Sequence, residues 1–130
     1  MNIMKANELR IGNLVKLNGE IVKIEQITKK KIGYHKEPRE NVMHYAKLCE
    51  VEPIELTEDV MYMVKCKDRW EEDDDIIHEI APAFYVQTRG DNGKCRRVWK
   101  ISIGILDAFY LHQLQNWYYM VYNKELEVEL

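Results

Sequence analysis

At 130 residues the chain is expected to form one domain, 1–130, and can bury roughly two-thirds of its unfolded surface, enough for a core without disulfide or metal staples. A net charge of −3 excludes a global basic field for nucleic acid, and three cysteines without a CxxC pair argue against a disulfide framework and read as reduced thiols. No apolar run approaches the ~18 residues of a membrane span, and MNIMKANELRIG lacks a signal-peptide core, so the expected location is the cytoplasm, with no membrane contact.

In chain order, Met1 to Arg10 reads as a lead-in, with Ala6–Arg10 as one helical turn, the favoured form, or an extended entry strand. Ile11 to Ile27 is the clearest local signal. Two apolar-rich runs flank Asn18-Gly19, the pair best suited to the positive φ of a type I′ turn. A two-residue loop sets Leu17 opposite Glu20, Lys16 opposite Ile21 and Val15 opposite Val22. Val15, Leu17, Val22 and Ile24 then share the core face, while Leu14 and Ile21 lie among charges on a half-wetted face. Ile27 breaks this phase, which predicts a bulge or sharp bend near Glu25-Gln26. Ile32-Gly33-Tyr34 reads as a short strand between polar segments, with an exposed loop around Pro38. Val42 to Leu56 reads as extended, with Pro53 marking a strand end.

Thr57 is an N-cap residue followed by Glu58 and Asp59, and Val60, Met61 and Val64 make the apolar stripe of a short helix. Lys67 to His78 is very polar, and Glu71 to Asp75 predicts a solvated loop or, second, the exposed start of a helix. Ala83 to Ile103 is a second hairpin turning at Gly90–Gly93, with Cys95, Trp99, Ile101 and Ile103 expected on one face of its second strand and Arg96, Val98, Lys100 and Ser102 on the other. Tyr110 to Tyr122 is the main helix, with Leu111, Leu114, Tyr118, Val121 and Tyr122 in one stripe and Asn123 as a left-handed terminator. Leu126, Val128 and Leu130 alternate with glutamates as a half-buried final strand. Sheet and helix segregate, which predicts an α+β fold: a small antiparallel, SH3-like barrel sheet built from the two hairpins, a short middle helix, and a main C-terminal helix followed by a strand.

LRIGNLV with NGE, PIELTEDV, and LHQLQNWYYMVYNKELEVEL resemble a group of short uncharacterised proteins of gut bacteria and the phages and mobile elements they carry. The resemblance rests on Leu9 to Val15, Asn18-Gly19, Pro53 to Thr57, His112 to Asn116 and Glu125 to Leu130. Asn123 stands where that group usually has Gly, and the same cap geometry stays open to it. The group has no assigned activity, so the resemblance implies no catalytic residue, only an accessory protein of a prophage or mobile element.

No chemical motif stands out. His35, His44, His78 and His112 lack metal-site spacing, so neither metal nor cofactor is expected; His44 with Cys49 would have to be assembled by the fold. The acid run lacks the alternation and Gly of a calcium loop, and Gly90–Gly93 lacks the ending of a phosphate loop. No nucleophile motif is present, so no catalytic residue is named. His112, Gln113, Gln115 and Asn116 form a polar strip, read first as a helix side bonded to its neighbours. The first functional reading is a non-catalytic protein-interaction module that binds a protein partner or forms a homodimer. Its contact residues are Trp117, at the margin of the helix stripe, Tyr119 beyond the other margin, and Met120 almost opposite it. The alternative is a nucleic-acid-binding accessory protein using Lys29, Lys30, Lys31, Arg96 and Arg97, with Tyr34, Tyr85 and Trp99 as aromatic partners. A small enzyme is the third reading, to be revived by a deep pocket that joins His35, His44 or His112 to a carboxylate.

Overall fold

The computed structural model describes residues 4–37 and 40–129, and the chain forms two compact units, Met1–Ile54 and Glu55–Leu130. In the first, β1 (Leu14–Leu17) and β2 (Glu20–Lys23) form the expected hairpin, with Val15 opposite Val22 and Leu17 opposite Glu20. Asn18 and Gly19 take φ of 52° and 81°, as a type I′ turn demands. Val15, Leu17 and Ile24 are buried and Val22 is half-buried; Leu14, expected to be half wetted, is buried as well. The predicted bend is a change of sheet. Ile24 N still donates to Asn13 O at 2.9 Å, and Glu25 N already donates to Gly33 O at 2.8 Å. The chain thus leaves β2 for β3 (Gln26–Ile27), which pairs with β4 (Lys31–Tyr34), and β4 pairs with β5 (His44–Lys47). A 3-10 turn, Leu48–Glu50, leads to β6 (Val51–Glu52), which adds to β1 just before Pro53. The two three-stranded sheets, ordered β2-β1-β6 and β3-β4-β5, enclose Val15, Leu17, Ile24, Ile32, Tyr34 and Val51. The loop expected around Pro38 falls, at Pro38 and Arg39, outside the described residues.

The second unit holds β7 (Asp68–Glu72), β8 (Asp75–Ala81), β9 (Phe84–Arg89), β10 (Cys95–Lys100) and β11 (Gly104–Leu106), in the order β11-β10-β9-β8-β7. Every neighbouring pair is antiparallel. The solvated loop expected at Glu71–Asp75 is instead a hairpin. Asp73 and Asp74 take φ of 48° and 67°, and aspartate tolerates this region better than most residues. Charge repulsion sets the exposure of Glu71 to Asp74, while the apolar Ile77 and Ile80 hold β8 in the sheet. Because β8 pairs with β9, the second hairpin belongs to this open five-stranded sheet and does not join the first in a barrel.

The expected faces of β10 are also corrected. A bulge between Cys95 and Arg97 puts Cys95 opposite Thr88 and Val98 opposite Val86, so residues three apart share the inner face. Val98 is buried, whereas the strand ends at Lys100 and leaves Ile101 and Ile103 exposed in the following turn. Two helices pack on the inner face. The first, α1 (Glu58–Met63), is capped by Thr57, whose Oγ1 accepts from Val60 N at 3.3 Å. The second, α2 (Leu111–Tyr122), rests Tyr118 and Tyr122 on Phe84 and ends at Asn123 with φ 54°. The final strand is a single bridge, Val128 to Val64, flanked by Lys65 N to Glu127 O and Glu129 N to Met63 O; Leu130 lies outside the described residues.

Candidate interaction surface

Registry alone assembles the outer face of the five-stranded sheet. Opposed residues point the same way, so Asp68, Glu79, Tyr85, Trp99 and Ile105 form one row across it and Trp70, Ile77, Gln87 and Arg97 the next. The result is an aromatic run. Trp70 meets Tyr85 edge-on at 6.0 Å between centroids, and Tyr85 meets Trp99 at 5.1 Å. The Arg97 guanidinium lies 4.4 Å over the Trp99 ring. Arg97 Nε donates to Gln87 Oε1 at 3.0 Å, and Gln87 Nε2 donates to Asp75 Oδ2 at 2.7 Å, with Arg96 Nη1 3.5 Å from the same oxygen. This chain of bonds positions Arg97 over Trp99 and gives the one buried acid of the run, Asp75, a cationic partner in Arg96. The edge is apolar: Ile105 is 75 % exposed beside Trp99.

Charge is divided across this face. Asp68, Glu72 and Glu79 stand on β7 and β8, and Arg89 and Arg97 on β9 and β10. The aromatic run lies between these flanks.

The residues named from the helix pattern lie elsewhere. Met120 is 72 % exposed and Tyr119 38 %, so among the described residues of the second unit no segment covers them. Trp117 is half-buried, its Nε1 donating to Asp107 O at 3.2 Å beside a recess of about 200 Å³. Of the basic candidates, Lys29, Lys30 and Lys31 belong to the first unit and Arg96 and Arg97 to the second. Within the second unit Arg97 lies over Trp99 on the aromatic face while Arg96 reaches Asp75, and Tyr34 is buried in the core of the first unit. In the polar strip, His112 and Gln115 are buried, and Gln113 Oε1 accepts from Phe109 N and Tyr110 N at the start of α2. The strip is therefore part of the helix packing and its cap.

The histidines fall in both units, His35 and His44 in the first and His78 and His112 in the second. His44 Nε2 sits 2.9 Å from Glu40, and that hydrogen bond is the main cause holding the Glu40 carboxyl below its ordinary range. His78 is fully buried between Arg69, whose Nε donates to its Nδ1 at 3.0 Å, and Thr88 Oγ1 at 3.1 Å from Nε2. Burial first, and the Arg69 charge second, push its pKa down to about 4. Neutral His78 with Nδ1 accepting must carry its proton on Nε2 and donate to Thr88. Arg69 also donates to the carbonyls of Met61 and Val64 at the end of α1, so the set ties the helix to the sheet. Among the described residues, no group of three His, Cys, Asp or Glu side chains is placed to hold a metal ion, and no helix is long and apolar enough to cross a membrane.

Sequence reasoning missed Trp70, which stands in the very polar Lys67–His78 segment directly before the acid run; its signal was an aromatic residue among charges. Comparison with models of protein families, with curated proteins and with solved structures found no match.

Proposed function

We propose that this chain is a non-catalytic protein-interaction module whose contact surface is the outer face of the five-stranded sheet, and that its partner is a second copy of itself. One observation carries the reading: Trp70, Tyr85 and Trp99 lie in contact across the face with Arg97 braced on Trp99. Trp, Tyr and Arg are the residues that dominate interface energetics, and they do so near the centre of a contact rimmed by weaker ones. The divided charge favours self-association. A two-fold axis along the strand direction over β9 sets β7 and β8 of one copy over β10 and β11 of the other, bringing Asp68, Glu72 and Glu79 toward the partner copy's basic flank. The resemblance of both ends of the chain to short phage-associated proteins supports an accessory role in a prophage or mobile element.

Sedimentation equilibrium tests this. The expected result is a dimer whose Kd rises at least ~30-fold in Trp99→Glu and in Ile105→Glu, the loss of a hot spot of about 2 kcal/mol. Tyr119→Glu with Met120→Glu is expected to leave Kd unchanged; the opposite pattern moves the contact to α2. A wild-type protein that stays monomeric at about 1 mM, a concentration at which even weak pairs associate, ends the self-association reading.

The second reading is single-stranded nucleic acid, favoured by the same stacked aromatics with a cation beside them. The acids of β7 and β8 oppose a phosphate backbone on that face. Heparin retention that falls steeply with salt, and is lost in Arg97→Glu, would favour it.

A further inference from the structure

The lysine run that the sequence singled out surrounds a recess within the first unit. Within the first unit a cavity of about 500 Å³ has Met4, Ala6, Leu48 and Cys49 as its apolar wall and Lys5, Lys29, Lys30, Lys31 and Lys47 around it. That size falls within the range of small-molecule sites, which join an apolar body to a few placed polar groups. The backbone fixes the lysines. Thr28 Oγ1 accepts from Lys31 N at 3.0 Å, Thr28 N donates to Lys31 O at 2.9 Å, and Leu48 N donates to Lys30 O at 2.8 Å. Lys31 and Lys47 stand directly opposite each other on β4 and β5. Like charges directly opposed on a sheet destabilise it. Among the described residues none of the five ammonium groups forms an ion pair. The nearest acid in that turn, Glu50, accepts from the Lys47 backbone N at 3.4 Å. Met4 and Leu48 are buried in the core, Ala6 is half-buried and Cys49 is exposed, so the wall runs from the core to the surface.

We propose that this recess binds a free anionic amphiphile, a carboxylate on a short alkyl chain, with the chain against Met4, Ala6 and Leu48 and the carboxylate between Lys31 and Lys47. The carboxylate supplies the negative charge that the opposed lysines lack, and the alkyl chain fills an apolar wall that a bare anion leaves wet. Among the described residues no aromatic side chain lines the recess, so these offer a nucleobase nothing to stack on.

The test uses the whole chain with decanoate, decanol and inorganic phosphate as probes, all below micelle formation. Two readouts are taken: titration calorimetry, and the rate at which iodoacetamide alkylates Cys49, which is exposed and lines the recess. The expected result is saturable binding of one decanoate per chain that slows Cys49 alkylation. Decanol is expected to bind about tenfold more weakly, and decanoate about tenfold more weakly to Lys31→Gln with Lys47→Gln, the size of losing charge-assisted contacts. That double variant removes a repulsion, so its urea midpoint should match or exceed the wild type and show that it is folded. The proposal is overturned by any of the following: decanoate that fails to saturate, equal affinity for decanol, unchanged affinity in the folded double variant, or phosphate protecting Cys49 as well as decanoate does. Protection by phosphatidylglycerol vesicles without protection by monomeric decanoate overturns it too, since the charge would then be reading a membrane surface. So does displacement of decanoate by a single-stranded oligonucleotide at equal phosphate concentration.

Discussion

Gly19 has φ +81° with no atom near enough to crowd a side chain, so substitution there tests backbone conformation alone. Gly19→Val is expected to lower stability by more than ~1 kcal/mol, because a β-branched residue is strained at positive φ; Gly19→Asn should lose less, and urea unfolding measures both. His78 gives the molecule a pH dependence. Its folded pKa of about 4 lies below the ordinary 6.5, so between these values the unfolded chain binds a proton that the folded chain refuses. The stabilisation is therefore complete above pH 6.5 and is lost as pH falls toward 4, amounting to roughly 3 kcal/mol over that window. Urea midpoints across pH 4.5 to 7.5 should show this slope, and His78→Gln should flatten it. The lowered pKa of Glu40 adds a further loss only below its ordinary 4.5. The cysteines separate by burial: desolvation raises Cys66 and pushes Cys95 up to about 11, whereas Cys49 is exposed. Brief alkylation at pH 8 followed by peptide mapping should label Cys49 first.

Two hairpins of the same turn geometry were read with opposite success. Asn18-Gly19 announces its turn, because those residues occupy positive φ readily. Asp73-Asp74 makes the same shape within a five-acid run, whose charge density predicts a solvated stretch. Asp74→Gly is expected to stabilise the protein by about 0.5–1 kcal/mol by relieving the left-handed strain. Gly90 shows what fixes that turn in place. A Cβ there would overlap the Asp74 carbonyl oxygen, so Gly90→Ala should cost about 1–3 kcal/mol as β9 and the turn are forced apart. Thermal unfolding of each variant checks both. The β10 faces failed for a different reason. A bulge is an inserted residue in the pairing, and strict alternation carries no mark of where it falls.

At the scale of the whole molecule, the acidic and basic halves of the sheet face decide between partners. If the face meets a second copy, raising salt should weaken the dimer only modestly, since aromatic contacts carry most of the affinity. If it meets nucleic acid, affinity should fall by orders of magnitude over the same change. Sedimentation at 50 and 300 mM salt, run beside heparin chromatography, separates the two on one sample.

The sequence by itself determined the elements whose signals are local: the first hairpin and its register, the Thr57 cap, the span of α2 and its Asn123 stop. Each depends on residues within a few positions of one another, so spacing and φ preference suffice. Only the tertiary structure decided which strands share a sheet, that Trp70, Tyr85 and Trp99 meet across β7, β9 and β10, and that Lys31 faces Lys47. Those groupings join residues far apart in the chain through hydrogen-bond register. A single bulge or an unread turn changes which side chains become neighbours, and no local pattern records it.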